Sequence, residues 1–284
     1  MTATNQKVAP PRVRLVGQID HPDFADAFAM MRAEGQLVVG HEAHAELTVV
    51  AQSRPGGVSY RMIESLRRDA PLSGFVALLG TWCEGETRTG RPWPGIERLY
   101  WYEFPAWWRR QIALRASGQC PDWSRNGECG MRGLDVGASD SIRKAPSEDR
   151  NQRGALIMVS CAVRDTAMAL ADVLQQAGYA AFWRPPGVRA AVVRGATAGI
   201  WDGGQLSEQE AARLAAFCRE LKSDAAPVIA LLDFPRRDRC ELARQLGAAA
   251  ILGKPWFNVD LVATIELLTD YRIGSKDVLI GRAA

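Results

Sequence analysis

AAAILGKPWF, residues 248–257, is a run of small, apolar and β-branched side chains that meets a lysine, a proline and an aromatic pair. Such a run, ending abruptly at Lys-Pro, describes a strand buried on both faces whose carboxyl end carries a cation. In open α/β sheets that end is where ligands and reacting groups collect. Lys254 therefore marks a candidate site and sets the direction of the sheet around it.

Upstream of Lys254 the chain alternates strand and helix signals. PVIALLDF (227–234) reads as a strand and RRDRCELARQLG (236–247) as the helix that joins it to AAAILG. ATAGIWD (196–202) is a strand ending in Asp-Gly-Gly. The helix after it opens with Ser207-Glu208-Gln209-Glu210, a capping box, and carries Leu214, Phe217 and Leu221 on one face. ALIMVSCAV (155–163) is a further buried strand, followed by a helix with Met168, Leu170, Val173, Leu174 and Ala177 at helical spacing; YAAFW (179–183) is the remaining strand. Beyond Lys254 the last helix starts near Asn258, a good N-cap, and buries Leu261, Ile265 and Leu268. Five βα units of this kind wind into a parallel sheet covered on both faces.

This order, with a Lys-Pro step after the fifth strand and PVIALL before it, resembles the receiver domain of bacterial response regulators over residues 154–270. The resemblance implies a flavodoxin-like doubly wound fold with strand order 2-1-3-4-5. It also implies a site made of acids after the first strand that hold Mg²⁺, a phosphoacceptor aspartate after the third strand, a hydroxyl after the fourth, and the lysine. Asp202 and Lys254 match the acceptor and lysine positions. Ser160, Cys161 and Ala162 stand where the acidic pair belongs, and Leu232 and Asp233 where the hydroxyl belongs; Asp165 comes late, inside the helix. Mg²⁺ demands oxygen ligands that Cys and Ala do not supply. Asp202 and Lys254 therefore read as an ion pair at the sheet edge. Against this stands a weak phosphoacceptor, with Asp165 or Asp233 as a displaced ligand and Mg²⁺ its only cofactor.

Residues 1–115 repeat the plan in worn form: VRLVGQ (13–18), LVV (37–39), ELTVVAQ (46–52), LSGFVALLG (72–80) and IERLYWYEF (96–104) are its strands, with helices over 23–35 and 59–70. Gln18 and Ile19 occupy the acidic-pair region, Ala51 and Gln52 the acceptor region and Phe104 the lysine position, so this copy is expected to take no phosphate. Asp20 and Asp23 read as helix-start residues beside Pro22. The stretch 116–153 has no apolar period and reads as a flexible tether, in which Cys120 and Cys129 match no compact zinc motif. The expected architecture is two receiver-like α/β domains, 1–115 and 154–284, joined by a flexible linker.

The fourth helix of the first copy is displaced by an aromatic, arginine-rich insert. Five of the nine tryptophans fall within 81–110. Arg88, Arg91 and Arg98 can cradle a phosphate or carboxylate with Trp93 stacking beside them, which would make a small anionic ligand-binding module or an enzyme of residues 83–98. Glu84 and Glu86 offer the opposite reading, a loop whose arginines are paired internally. His41 and His44 bind metal only with partners from elsewhere.

Composition narrows the function classes. The 284 residues carry 47% hydrophobic and 24% charged side chains and a net charge of +3. So mild a charge does not indicate nucleic acid, which calls for a concentrated basic stripe. No run approaches a membrane span, the amino terminus lacks a signal-peptide core, and six scattered cysteines fit a reducing cytoplasm. No phosphate loop, dinucleotide fingerprint, nucleophile elbow or HExxH pair occurs. The expectation is a cytoplasmic signalling or scaffolding protein, not an enzyme, that works without phosphorylation. It would contact a protein partner or a second copy through the receiver face of the second domain, with Trp256 and Phe257 as anchors.

Overall fold

The computed structural model of the protein describes residues 9–38, 44–86, 92–124, 155–188 and 194–280, with backbone alone from residue 270 onward. The chain divides into two compact units, Met1–Val136 and Gly137–Ala284. Unit 1 runs β1 (Arg12–Gly17), α1 (Ala25–Glu34), β2 (Gln36–Val38), β3 (Leu47–Gln52), α2 (Tyr60–Asp69), β4 (Gly74–Leu79), β5 (Glu97–Tyr100) and α3 (Phe104–Ala116). Unit 2 runs β6 (Leu156–Ser160), α4 (Arg164–Gln176), β7 (Ala180–Arg184), β8 (Ala196–Asp202), α5 (Glu208–Leu221), β9 (Val228–Asp233), α6 (Arg237–Gln245), β10 (Ala248–Lys254) and α7 (Asn258–Ile280).

Each unit holds one five-stranded parallel sheet, in the orders β2-β1-β3-β4-β5 and β7-β6-β8-β9-β10. Both are the 2-1-3-4-5 order of the flavodoxin-like doubly wound fold. The central strands follow the expected logic of a sheet covered on both faces: every residue of β3, LTVVAQ, is buried. Helix starts come from local chemistry. Ser207 and Glu210 close a capping box on α5, and the Ser59 hydroxyl accepts from the Met62 N–H at the start of α2. In α4, Leu170 and Leu174 are buried, whereas Met168 is exposed. Among the described residues no helix is long and apolar enough to cross a membrane.

Two boundaries differ from the sequence reading. The fifth strand of unit 1 stops at Tyr100, so Phe104 lies in a helix instead of ending a strand. The Glu103 carboxylate accepts the Tyr100 N–H at 2.7 Å and turns the chain there, and Pro105 sits in the first turn of α3, where its missing N–H costs nothing. The second difference concerns the start of the tether. Residues 117–124 continue unit 1: Trp123 is buried against Trp107 and Trp108, and Asp122 binds Arg110 at 2.6 Å and Gln111 at 2.7 Å. Gly74 receives this segment so closely that a Cβ there would lie 2.3 Å from the Trp123 carbonyl oxygen. The rest of the proposed tether lies outside the described residues.

The tryptophan density of the 81–110 stretch is mostly packing. Trp107 and Trp108 are completely buried on α3, and Trp93 and Trp101 nearly so, while Trp82 alone of the five is 76% exposed. Phe104, Trp108 and Trp123 form a stacked column with centroids 5.8 and 5.9 Å apart. The Trp108 indole N–H donates to Glu34 at 2.7 Å, tying α3 to α1.

Candidate functional site

The carboxyl ends of β6, β8, β9 and β10 meet at one edge of the unit 2 sheet. Asp202 closes β8, and Lys254 closes β10 directly opposite Asp233, the last residue of β9. The Lys254 ammonium donates to Asp202 Oδ1 at 3.0 Å, lies 2.8 Å from Asp233 Oδ1, and donates to the Gly203 carbonyl. Its three N–H groups thus have three acceptors. The other oxygen of the Asp202 carboxylate, Oδ2, accepts from the Cys161 thiol at 3.1 Å. Cys161 follows β6 and is completely buried.

The edge is held by its backbone. The Gly203 N–H donates to Leu231 O and the Asp233 N–H to Gly204 O, while the Glu210 carboxylate accepts from the Gly204 and Ser207 N–H groups at 2.7 and 2.8 Å. Burial pushes the Glu210 carboxyl up, but these N–H bonds outweigh it and hold it below the usual carboxylate range. Gly203 is required by contact: a Cβ there would lie 2.0 Å from the Trp201 ring. Phe234, next to Asp233, is held at φ +41° with its side chain 59% exposed. A left-handed backbone is strained for an aromatic residue.

Two further groups at the edge are shifted from their ordinary values. Burial pulls Lys254 down, but hydrogen bonds and charge from Asp233 and Asp202 more than reverse this and raise it above 10.5. Burial, reinforced by the adjacent Asp202, pushes the Cys161 thiol up to about 11. A thiol raised from 9.0 to about 11 carries roughly one hundredth of the usual thiolate near neutral pH. Cys161 is therefore expected to react with iodoacetamide about 100-fold more slowly than in the unfolded chain. Peptide mapping by mass checks this, since Cys120 is exposed and serves as the internal comparison. Labelling of Cys161 in the native protein at the Cys120 rate would contradict the geometry.

The other candidates from the sequence fall in different places. Asp165 is exposed in the first turn of α4. Asp233 Oδ1 lies beside the Lys254 ammonium. Among the described residues no group of three or more His, Cys, Asp or Glu side chains is placed to hold a metal ion. Arg98 of the insert pairs with Glu86 at 2.8 Å, and Trp93 packs in the core with Ile63, Leu79 and Ile96. Glu84 is half-buried on the turn before Glu86. Arg88, Arg91 and His41 lie outside the described residues, as does Cys129; His44 is exposed.

Register supplies the unit 1 equivalents. In unit 2 Asp202 pairs with Leu231, which pairs with Leu252, two residues before Lys254. In unit 1 Gln52 pairs with Leu79, which pairs with Tyr100, two residues before Tyr102. Tyr102, not Phe104, thus stands at the lysine position. The residues after the paired Ser160–Trp201 and Gly17–Ala51 positions set Gln18 against Cys161. The unit 1 edge therefore carries Gln18, Gln52 and Tyr102 where unit 2 carries Cys161, Asp202 and Lys254.

No protein-family model matches the chain, and no curated protein matches it by sequence. Among solved structures, the chain is similar to a response regulator receiver protein from Pseudoalteromonas atlantica, at 15% identity and a TM-score of 0.35, over 41% of this chain and 98% of that one. A response regulator from Thermotoga maritima is similar at 16% identity and a TM-score of 0.34, with the same coverage. The signal receiver domain of a histidine kinase from Syntrophus aciditrophicus follows at 17% identity and 0.33, over 41% and 91%.

Proposed function

We propose that the protein is a signalling or scaffolding component that acts through protein contacts of its receiver-like units, without phosphoryl transfer. The observation that carries this reading is that Asp202 and Lys254 are already spent on one another. Both acceptor oxygens are hydrogen-bonded, one to Lys254 and one to Cys161, and Lys254 is held by two aspartates and a carbonyl. Phosphoryl transfer to a carboxylate needs a cation that offsets the charge developing on the phosphoryl oxygens. Mg²⁺ does not fit this donor set. The position beside Asp202 Oδ2 is held by a protonated thiol, and a hard dication requires oxygen ligands there.

What remains at the edge is a surface with exposed apolar groups. Phe234 and Val163 are exposed, and Trp256 and Phe257 are half-buried beside Lys254. Aromatic side chains in such settings are the usual anchors of protein interfaces. The reading places a protein partner or a second copy on unit 2 and a cytoplasmic setting for both. The sedimentation profile of the full chain is expected to be the same with and without Mg²⁺ and acetyl phosphate, and the same for Asp202→Asn. An association change that needs the phosphodonor and disappears in Asp202→Asn would replace this reading with a phosphorylation switch.

A further inference from the structure

Unit 1 retains a charge pair at its sheet edge, but the pair comes from different parts of the chain. The acceptor register holds Gln52, an amide, and the cation is Arg98 on β5. The missing carboxylate is delivered from the turn after β4. Glu86 Oε2 accepts from Arg98 at 2.8 Å, and Glu86 Oε1 accepts from the Gln52 side-chain amide at 3.3 Å. Glu86 is 7% and Gln52 2% exposed. Cys83, Val58, Trp93 and Ile96 belong to one buried cluster of unit 1.

Gln52, one donor of this cradle, is oriented by contacts other than Glu86. The Gln52 carbonyl oxygen accepts from the Val58 N–H at 3.4 Å, which aims its NH₂ group at the carboxylate, and the backbone carbonyl of Gln52 accepts from the Cys83 thiol at 3.3 Å. Arg98 is anchored in the β4–β5 ladder. A guanidinium N–H and an amide N–H converging on the two oxygens of one carboxylate form an oxyanion site, and such charge-assisted bonds favour carboxylates and phosphate over halide. Deleting the Glu86 side chain leaves a partly buried cation without its counter-ion, a costly arrangement that a small anion relieves.

We propose that unit 1 carries an anion site filled by its own chain: the Glu86 carboxylate is the resident ligand of a cradle made by Arg98 and Gln52, and a free small oxyanion takes its place when that side chain is absent. The occupant shares its chemistry with acetate and with inorganic phosphate, and the two are separate arms of the test. Glu86→Ala in the full chain is expected to lower the thermal midpoint by about 4 °C. Acetate or phosphate should regain a large part of that loss where chloride at matched ionic strength does not. Rescue by acetate alone would mark a carboxylate-sized cradle, and rescue by phosphate one that admits a tetrahedral anion. The double variant Glu86→Ala, Arg98→Met should respond to neither. Anions that do no more than chloride, or that act equally on the double variant, would overturn the proposal. If Glu86→Ala does not fold, Glu86→Gln and Arg98→Met decide: together they should cost no more than either alone, and additive losses would overturn the pairing.

Discussion

Trp108→Ala is expected to be the most damaging single truncation in unit 1, costing about 4 kcal/mol. Three losses coincide at that position. The side chain is completely buried, so its removal leaves a cavity walled by Phe104 and Trp123, which stack on its two sides. The indole N–H that ties α3 to Glu34 of α1 disappears, leaving a carboxylate without that donor. Trp123 also loses a stacking partner, and with it part of the hold on residues 117–124. Urea unfolding followed by near-ultraviolet circular dichroism measures this. Trp82→Ala is the control: with a side chain 76% exposed, it should stay within about 0.5 kcal/mol of the parent. Equal effects at the two positions would mean that the aromatic column does not stabilise the unit.

Lys254→Met should cost unit 2 about 2 kcal/mol at neutral pH, because it leaves two carboxylates converging on an apolar side chain. The contributions of the two arms differ. The Asp202 side chain is 12% exposed and that of Asp233 45%, so solvent screens the second contact far more. Asp202→Asn is therefore expected to destabilise more than Asp233→Asn, and the reverse order would show that Asp233 is the principal partner. The pH dependence has a definite sign. The folded pKa of Lys254 is raised, so its contribution is fully present below the unfolded value of 10.5 and fades as pH rises through the folded value. Cys161 acts in the same direction: a thiol raised from 9.0 to about 11 favours the folded state below pH 9 and loses that advantage on the way to 11. Stability of unit 2 should thus decline above about pH 9 in the parent. Lys254→Met should lose the upper part of that decline.

Much of this architecture is legible in the residues alone, because each strand of unit 2 is a short apolar run bounded by a helix with one apolar face. AAAILG beside PVIALL gives two neighbouring buried strands, and the Ser207–Glu210 capping box marks a helix start that the structure reproduces. The end of β5 was not legible. IERLYWYEF alternates well enough for a strand, and aromatic residues suit a strand face and a helix core alike; the turn in which the Glu103 N–H donates to the Tyr100 carbonyl takes the chain out of the strand. The docking of residues 117–124 was equally hidden, since one tryptophan in a polar stretch has no period. At the site, Lys254 is singled out by its place at a strand end and Asp202 by the receiver resemblance. The roles of Asp233 and Cys161 depend on register across strands far apart in sequence, which one-dimensional spacing does not carry. In the insert, two acids precede the arginines without indicating which pairs form, and folding selects Glu86 with Arg98.

Whether Asp202 takes a phosphoryl group is tested most directly by the intact mass of the chain after incubation with Mg²⁺ and acetyl phosphate. The arrangement of Lys254 and Cys161 on the two oxygens of Asp202 predicts an unchanged mass. A gain of one phosphoryl group, absent from Asp202→Asn, would contradict it.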